Sequence, residues 1–173
     1  MAVKILGAVC IIAACTAMGF RQSFKLNLRY KELQELKKIL CLLAGEIRFG
    51  GGTLEETFRT VAARSGSPFE DFFCFLSEEM KERTGVRLSE LWDRAVRERL
   101  SASHLTEEDL DILLRMGNDL GCLDRETGLS TLTLASEQLE DARRDLYGEL
   151  PKKMRLYNSL GILAGVFITI LLI

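Results

Sequence analysis

The stretch from Leu156 to Ile173, LYNSLGILAGVFITILLI, decides the organisation of the chain, because it contains no charged residue in eighteen positions. As an α-helix it would extend about 27 Å, close to the thickness of the hydrocarbon core of a bilayer. Lys152, Lys153 and Arg155 precede it, and basic residues are retained on the cytoplasmic side of a membrane. The sequence therefore predicts a C-terminal transmembrane helix at residues 156–173, with the preceding chain in the cytoplasm.

A second apolar run, from Ile5 to Phe20, opens the chain and is followed by Arg21, Lys25, Arg29 and Lys31. These basic residues favour the same orientation as the C-terminal flank, with the central region inside the cell. The sequence thus predicts an N-terminal transmembrane anchor at residues 1–21. Residues 22–155 form the remaining region, which is long enough for one cytoplasmic domain with its own core.

The N-terminal run also supports a different hypothesis. Its segment Ile12-Ala13-Ala14-Cys15 resembles the lipobox of bacterial lipoproteins, in which the cysteine is acylated after cleavage. The alternative is therefore an exported lipoprotein acylated at Cys15. Against it, apolar sequence continues from Thr16 to Phe20 and basic residues follow soon after, which disfavours export. An uncleaved membrane anchor is the favoured interpretation.

The charge balance excludes one class of partner. Of 23 basic and 25 acidic residues, only Lys4 and Arg21 lie outside residues 22–155. The central region therefore has no basic excess, whereas a nucleic-acid-binding surface needs one. Binding to nucleic acid is not expected.

The cysteine and histidine pattern gives little support to metal binding or catalysis. No two of the five cysteines have CxxC spacing, and His104 is the only histidine, so neither a metal site nor a cofactor is predicted. Cys41 and Cys74 lie in apolar helical runs and are expected to be small buried residues. A membrane-bound hydrolase using His104 or Cys122 remains an alternative, without any recognisable nucleophile pattern behind it.

Several helix starts can be predicted from polar residues at the right spacing. Triple glycine 50–52 ends the first helix, and Thr53 with Glu56 predicts a capping box for the second. The same spacing occurs in Ser67 with Glu70 and in Thr106 with Asp109. The sixth helix begins near Asp124 and its apolar pattern continues toward the terminal apolar stretch.

Apolar residues at spacings of three and four predict the buried faces of the middle helices. Trp92 is expected to be a core anchor rather than a binding residue. The expected core positions of helices two to four are Leu54, Phe58, Val61, Ala62, Phe69, Phe72, Phe73, Leu76, Met80, Leu91, Trp92, Ala95, Val96 and Leu100.

Four segments carry a resemblance to a known family. They are GGTLEETF from Gly51, GVRLSELWDRAV from Gly85, LRMGNDLGCLDRE from Leu114 and KKMRLYNSLGILAG from Lys152. With the two apolar ends, they resemble the stage III sporulation protein AB family of endospore-forming bacteria over nearly the whole chain. The paired glycine-leucine-acid helix starts and the turn at Gly117 to Leu123 look more distantly like the cytoplasmic domain of type II secretion protein F. In that wider family a glutamate usually follows the first glycine of the turn, whereas this chain has Asn118.

The resemblance implies an all-α fold. It would be a six-helix bundle with type II secretion F-like topology, flanked by N- and C-terminal transmembrane helices. The implied function is that of a non-enzymatic, membrane-anchored adaptor in the channel between mother cell and forespore, in the mother-cell membrane facing the forespore. The implied partners are the secretion-type ATPase, stage III sporulation protein AA, and other channel proteins of the same operon. A membrane platform protein of a type II secretion or type IV pilus-like machine is an alternative.

Two sets of residues are candidate interaction sites. A polar cluster at the corner between the fifth and sixth helices predicts a partner surface and competes with a simple solvated turn; it comprises Asn118, Asp119, Asp124, Arg125 and Glu126. The apolar ends contain small residues four apart, which let helix backbones approach closely; these are Gly161 and Gly165, and Ala13 and Ala17. They could pack the two ends of one chain together or join copies into a homo-oligomer.

Overall fold

The computed structural model describes residues 2–82, 85–120 and 125–172, without the side chains of residues 2–6, 8, 9, 125, 171 and 172. Within these ranges the chain forms six α-helices: α1 (Ala2–Phe49), α2 (Leu54–Ala62), α3 (Phe69–Lys81), α4 (Leu88–Arg99), α5 (Glu107–Leu120) and α6 (Arg125–Leu172). The prediction of an all-α chain with six helices is confirmed.

The chain divides into two compact units. The hairpin unit combines Met1–Tyr30 with Asp145–Ile173, and the bundle unit comprises Lys31–Arg144. Helices α1 and α6 contribute residues to both units. The domain boundaries predicted at residues 21 and 156 concern membrane segments and remain predictions.

The bundle unit is organised around an aromatic core. Phe58, Phe69, Phe72, Phe73 and Trp92 each expose at most 2% of their surface. The rings of Phe72 and Trp92 meet edge to face, with centroids 4.9 Å apart, a favourable geometry for aromatic pairs. The predicted core positions of α2 to α4 are buried, apart from Leu54 and Met80, which are half-buried.

The predicted caps can be compared with the hydrogen bonds at three helix starts. At α2 the Thr53 side chain accepts from the Glu56 amide and the Glu56 carboxylate accepts from the Thr53 amide. Thr106 and Asp109 make the same reciprocal bonds before α5, so both boxes are confirmed. The box predicted from Ser67 is wrong. Pro68 is the N-cap of α3 without a side-chain bond, and the Glu70 amide donates instead to the carbonyl of Gly66 at 3.0 Å.

The prediction that Cys41 and Cys74 are buried is also wrong, because both are exposed. Each lies in an apolar run but on the side of its helix turned away from the buried stripe, which on α3 consists of Phe69, Phe72, Phe73 and Leu76. Slight burial, followed by the charges of Glu70, Glu78 and Asp71, raises the pKa of the Cys74 thiol. Its thiolate, the reactive form, is thereby disfavoured.

The hairpin unit is an antiparallel helix pair. The ring centroids of Tyr30 and Tyr147 lie 5.7 Å apart. Toward the N-terminus of α1, a Cβ built on Gly19 would lie 2.6 Å from the carbonyl oxygen of Tyr157. In the part of the chain that the structure describes, no helix carries an apolar stretch sufficient to cross a bilayer. The transmembrane helices predicted at 1–21 and 156–173 are therefore not supported. The side chains of residues 1–6, 8, 9 and 171–173, which would complete the two stretches, lie outside that part.

Candidate functional site

The end of α5 is held against α4 by one buried side chain. Trp92 of α4 donates from its indole Nε1 to the carbonyl oxygen of Leu113 at 2.9 Å. A Cβ placed on Gly117 would lie 2.0 Å from Cδ1 of Trp92, so only glycine allows the indole to lie this close to α5. This contact fixes the position of the next residue, Asn118, which is exposed.

Asn118 lies beside a charged face of α4. Together they line a groove of about 480 Å³, here called the α4–α5 groove, which is formed by Ser89, Glu90, Asp93, Arg94, Arg97, Glu98 and Asn118. Arg97 donates from Nε to Asp93 at 2.9 Å, and this hydrogen bond raises the pKa of the guanidinium. Arg94 reaches Glu79 of α3 at 2.7 Å.

The charges of this groove are thus partly fixed in place. Both arginines are held by carboxylates, while Glu90 and Glu98 are exposed. The residues that line the groove carry three carboxylates against two guanidiniums, a formal excess of one negative charge. Such a surface suits a partner that presents basic and hydrogen-bonding groups.

The predicted partner cluster is only partly visible. Asn118 lines the α4–α5 groove, and Asp119 and Glu126 are exposed. Asp124 lies outside the described residues, as does the side chain of Arg125, whose backbone begins α6. The contribution of α4 was missed from the sequence. Its signal was the pair Asp93 and Arg97, which stand four apart on a helix face away from the core.

A second groove lies along α1. This α1–α2 groove measures about 430 Å³ and is lined by Lys31, Gln34, Glu35, Lys38, Ile39, Leu42 and Arg64. Glu35 accepts a hydrogen bond from the amide of Gly66 at 2.7 Å, which brings the loop after α2 to the side of α1. This contact joins residues 31 positions apart in sequence, so helical periodicity could not predict it.

His104 is hydrogen-bonded to α1. Glu32 of α1 accepts from the His104 amide at 2.7 Å and lies 2.8 Å from its ring Nδ1. The pair ties the loop before α5 to α1. Cys122, the other residue of the hydrolase alternative, lies outside the described residues. Across the described ranges, no three His, Cys, Asp or Glu side chains are grouped as a metal site requires.

In the hairpin unit, the small residues of α6 lie against α1. A Cβ on Gly161 would lie 2.8 Å from the carbonyl oxygen of Cys15, and one on Gly165 would lie 3.0 Å from Cα of Ile12. Ala13 and Ala17 are exposed instead. The positions of α1 that face the two glycines are Ile12, Cys15 and Gly19. Ala13 and Ala17 therefore do not make this contact within one chain, and their use in self-association stays a prediction.

One polar contact accompanies these glycines. The hydroxyl of Ser23, which is 3% exposed, donates to Oδ1 of Asn158 at 3.0 Å. Its oxygen also lies 3.4 Å from the carbonyl of Met154. A buried hydrogen bond between two helices favours one register of the pair over others, because a shifted register leaves both groups unpaired.

Comparison with known proteins agrees with the resemblance. The family model described as stage III sporulation protein AB matches residues 4–173. The stage III sporulation protein AB of Bacillus subtilis (strain 168) is 26% identical over 169 residues, which cover 98% of each chain. A solved structure of a stage III sporulation protein AB has a TM-score of 0.66 at 20% identity, covers 71% of this chain and 96% of its own, and supports the fold. The chain belongs to the stage III sporulation protein AB family.

Proposed function

We propose that this chain is a non-enzymatic adaptor of the channel between mother cell and forespore. In this proposal the hairpin unit attaches it to the mother-cell membrane facing the forespore. The bundle unit docks the secretion-type ATPase, stage III sporulation protein AA, beside the other channel proteins. Family membership supports a role in sporulation. The names of the matched relatives refer to sporulation and to no enzymatic reaction.

The observation that carries the membrane part is the exposed apolar face of the hairpin unit. Residues spaced alternately four and three apart on α6 are between 52% and 72% exposed; they are Leu156, Leu160, Leu163, Phe167 and Ile170. This spacing places them on one side of the helix. Soluble monomers rarely expose a contiguous apolar surface of this kind. Lipid acyl chains would cover it, and the basic residues Lys152, Lys153 and Arg155 would favour anionic headgroups.

The docking part rests on the α4–α5 groove. Trp92 fixes α4 against α5, so the backbone that carries the groove is in place before a partner binds, and the ion pairs of Arg94 and Arg97 lie on its exposed surface. A preorganised surface loses little conformational entropy on association. The exposed acidic groups Glu90, Glu98 and Asp119 would attract a basic patch on the ATPase.

Capture of the ATPase by the full chain in lipid nanodiscs tests the docking surface. With Glu90→Lys and Asp119→Lys together, we expect the dissociation constant to rise about tenfold or more, because two attractive contacts become repulsive. The matched control is Glu82→Lys with Asp141→Lys, two exposed acidic residues outside the groove, and it should leave capture unchanged. Unchanged capture by the groove variant would contradict the proposal.

The exported lipoprotein is separated from this proposal by the mass of the mature protein. Cys15 lies within the hairpin, with its Cβ 3.4 Å from a Cβ built on Gly165. We expect no acyl group on it, since an acyl chain would occupy the space between the two helices. A mature mass that is lowered by loss of the segment before Cys15 and raised by the added acyl groups, and only while Cys15 is present, would favour the lipoprotein.

A further inference from the structure

The α1–α2 groove has an excess of positive charge that this unit does not neutralise. In the described part of the chain, Lys31, Lys38 and Arg64 make none of the recorded ion pairs. The one carboxylate of the groove, Glu35, is already engaged by the amide of Gly66. Three cations against one carboxylate leave a formal charge of about +2. The groove is therefore suited to an acidic group.

The groove also has an apolar floor. Ile39 is 3% exposed and Leu42 is half-buried, while Gln34 supplies an exposed amide at the edge. Separated surface charges contribute little to binding in water. A floor that excludes water strengthens the attraction between charges at its rim. This combination fits an acidic protein segment that carries an apolar side chain.

The start of α5 offers such a segment on the same bundle unit. Glu107 and Glu108 are exposed, and Leu110 is only half-buried. Asp109, by contrast, is 1% exposed and serves in the cap with Thr106. The acidic end of α5, defined here as Glu107 and Glu108, therefore carries two negative charges, which are opposite in sign and equal in number to the excess in the groove.

The acidic end of α5 lies near the level at which the groove begins on α1. Glu32 follows Lys31 of the groove directly, and it holds His104, just before the cap of α5. Consecutive residues point about 100° apart around a helix. The acidic end of α5 and the start of the groove thus share a height along α1 while facing different directions.

We propose that copies of this chain associate side by side, with the acidic end of α5 of one copy in the α1–α2 groove of the next. The contact is heterologous, since each copy uses two different surfaces. Repetition of such a contact gives a ring if the rotation closes, and an open filament if it does not. Charge complementarity between these two surfaces of the chain favours a second copy as the occupant. The inference goes beyond the proposed function because it requires neither the ATPase nor the α4–α5 groove.

A charge exchange between two tagged versions of the full chain tests this pairing. The groove version carries Lys38→Glu and Arg64→Glu, and the acid version carries Glu107→Lys and Glu108→Lys. Two differently tagged wild-type chains, co-expressed and purified in mild detergent, should co-purify. Two copies of either version alone should co-purify at least about tenfold less, because like charges then meet. The two versions together should regain co-purification, since both contacts between them become attractive again.

Controls separate this result from misfolding and from general charge effects. Lys81→Glu with Arg115→Glu changes two exposed cations outside the groove and should leave co-purification unchanged. If lysines at the start of α5 lower the melting temperature, Glu107→Gln with Glu108→Gln replaces them and should still weaken the association. Failure of the mixed versions to associate would overturn the proposal, as would wild-type copies that stay separate. Binding of the groove to anionic vesicles or to an acidic segment of another protein, without self-association, would also overturn it.

Discussion

The two units of this chain are packed by different means. The bundle unit buries large rings, with Phe58, Phe73 and Trp92 each at most 1% exposed. The hairpin unit brings backbones together at Gly19, Gly161 and Gly165 and leaves large apolar side chains on its outside. Phe167, for example, is 68% exposed.

The difference matches the membrane attachment that we propose for the hairpin unit. Water drives the bundle unit to collapse around its aromatic core, because apolar area removed from water is the main source of stability. In a lipid environment that driving force is absent, and helices associate through close backbone packing and polar contacts. The glycine contacts and the Ser23–Asn158 hydrogen bond of the hairpin unit follow this second pattern.

The largest effect is expected at Gly117, where the packing of the bundle unit requires a residue without a side chain. Gly117→Ala places a Cβ 2.0 Å from Cδ1 of Trp92, so the indole must move and lose its bond to Leu113. We expect the free energy of unfolding to fall by about 3 kcal/mol, measured by thermal unfolding of the full chain in detergent. The matched change Gly45→Ala, at a helical glycine with nothing within 4 Å, should instead stabilise by about 0.5–1 kcal/mol. Equal effects of the two changes would show that the Trp92 contact is not what holds this corner.

The next largest effect is expected where α1 and α6 approach each other closely in the hairpin unit. Gly161→Leu adds a side chain against the backbone of Cys15 and should separate the helices at a cost of about 1–3 kcal/mol. The readout is a disulfide between Cys15 and Gly165→Cys, in a chain whose other cysteines are serine. A Cβ–Cβ distance of 3.4 Å lies close to that of natural disulfides.

Oxidation should close this bond when residue 161 is glycine and fail to close it when it is leucine. Leu163→Cys, on the exposed face of α6, is the control and should not bond to Cys15 within one chain. A disulfide from Cys15 to both positions with equal yield would contradict the antiparallel register.

A smaller effect is expected from the polar contact of the hairpin unit. Replacing Ser23 by Ala, Asn158 by Ala and both together forms a double-mutant cycle. The coupling energy should be about 0.5–1.5 kcal/mol, typical of a hydrogen bond between helices. Thermal unfolding in detergent measures it, and a coupling of zero would remove this contact from the account of register.

The smallest effect is expected on the surface of the bundle unit, where a change in melting temperature should appear only at acidic pH. Hydrogen bonds from Arg143 and then from Lys37 hold the pKa of Glu140 far below its ordinary value of 4.5. Because the folded pKa is lowered, ionised Glu140 stabilises the fold above about pH 4.5, and this contribution is lost as the pH falls further. Glu140→Gln should therefore flatten the loss of melting temperature between about pH 5 and pH 3. Glu137→Gln, an exposed neighbour on α6, should leave that slope unchanged.

The sequence predicted local features well where a short range of residues decides them. The capping residues Thr53 and Thr106 act on amides three positions away, and the buried face of α4 follows from its own spacing. The role of Trp92 as a core anchor could be predicted for the same reason.

Features that depend on how the helices are rotated against each other could not be predicted from the sequence. Cys74 sits in an apolar run yet is exposed, and Ala17 has a small side chain but does not face Gly161 or Gly165. The contacts of Glu32 with His104 and of Glu35 with Gly66 join distant segments. No periodicity encodes them, so both grooves were found only in the structure.

In the proposed function, lipid covers the outer face of the hairpin unit. The most direct test of this claim is an alkaline carbonate wash of membranes from cells that produce the full chain. We predict that the chain remains in the membrane pellet, together with an integral membrane protein used as a marker. Release into the supernatant together with a peripheral marker would contradict the claim.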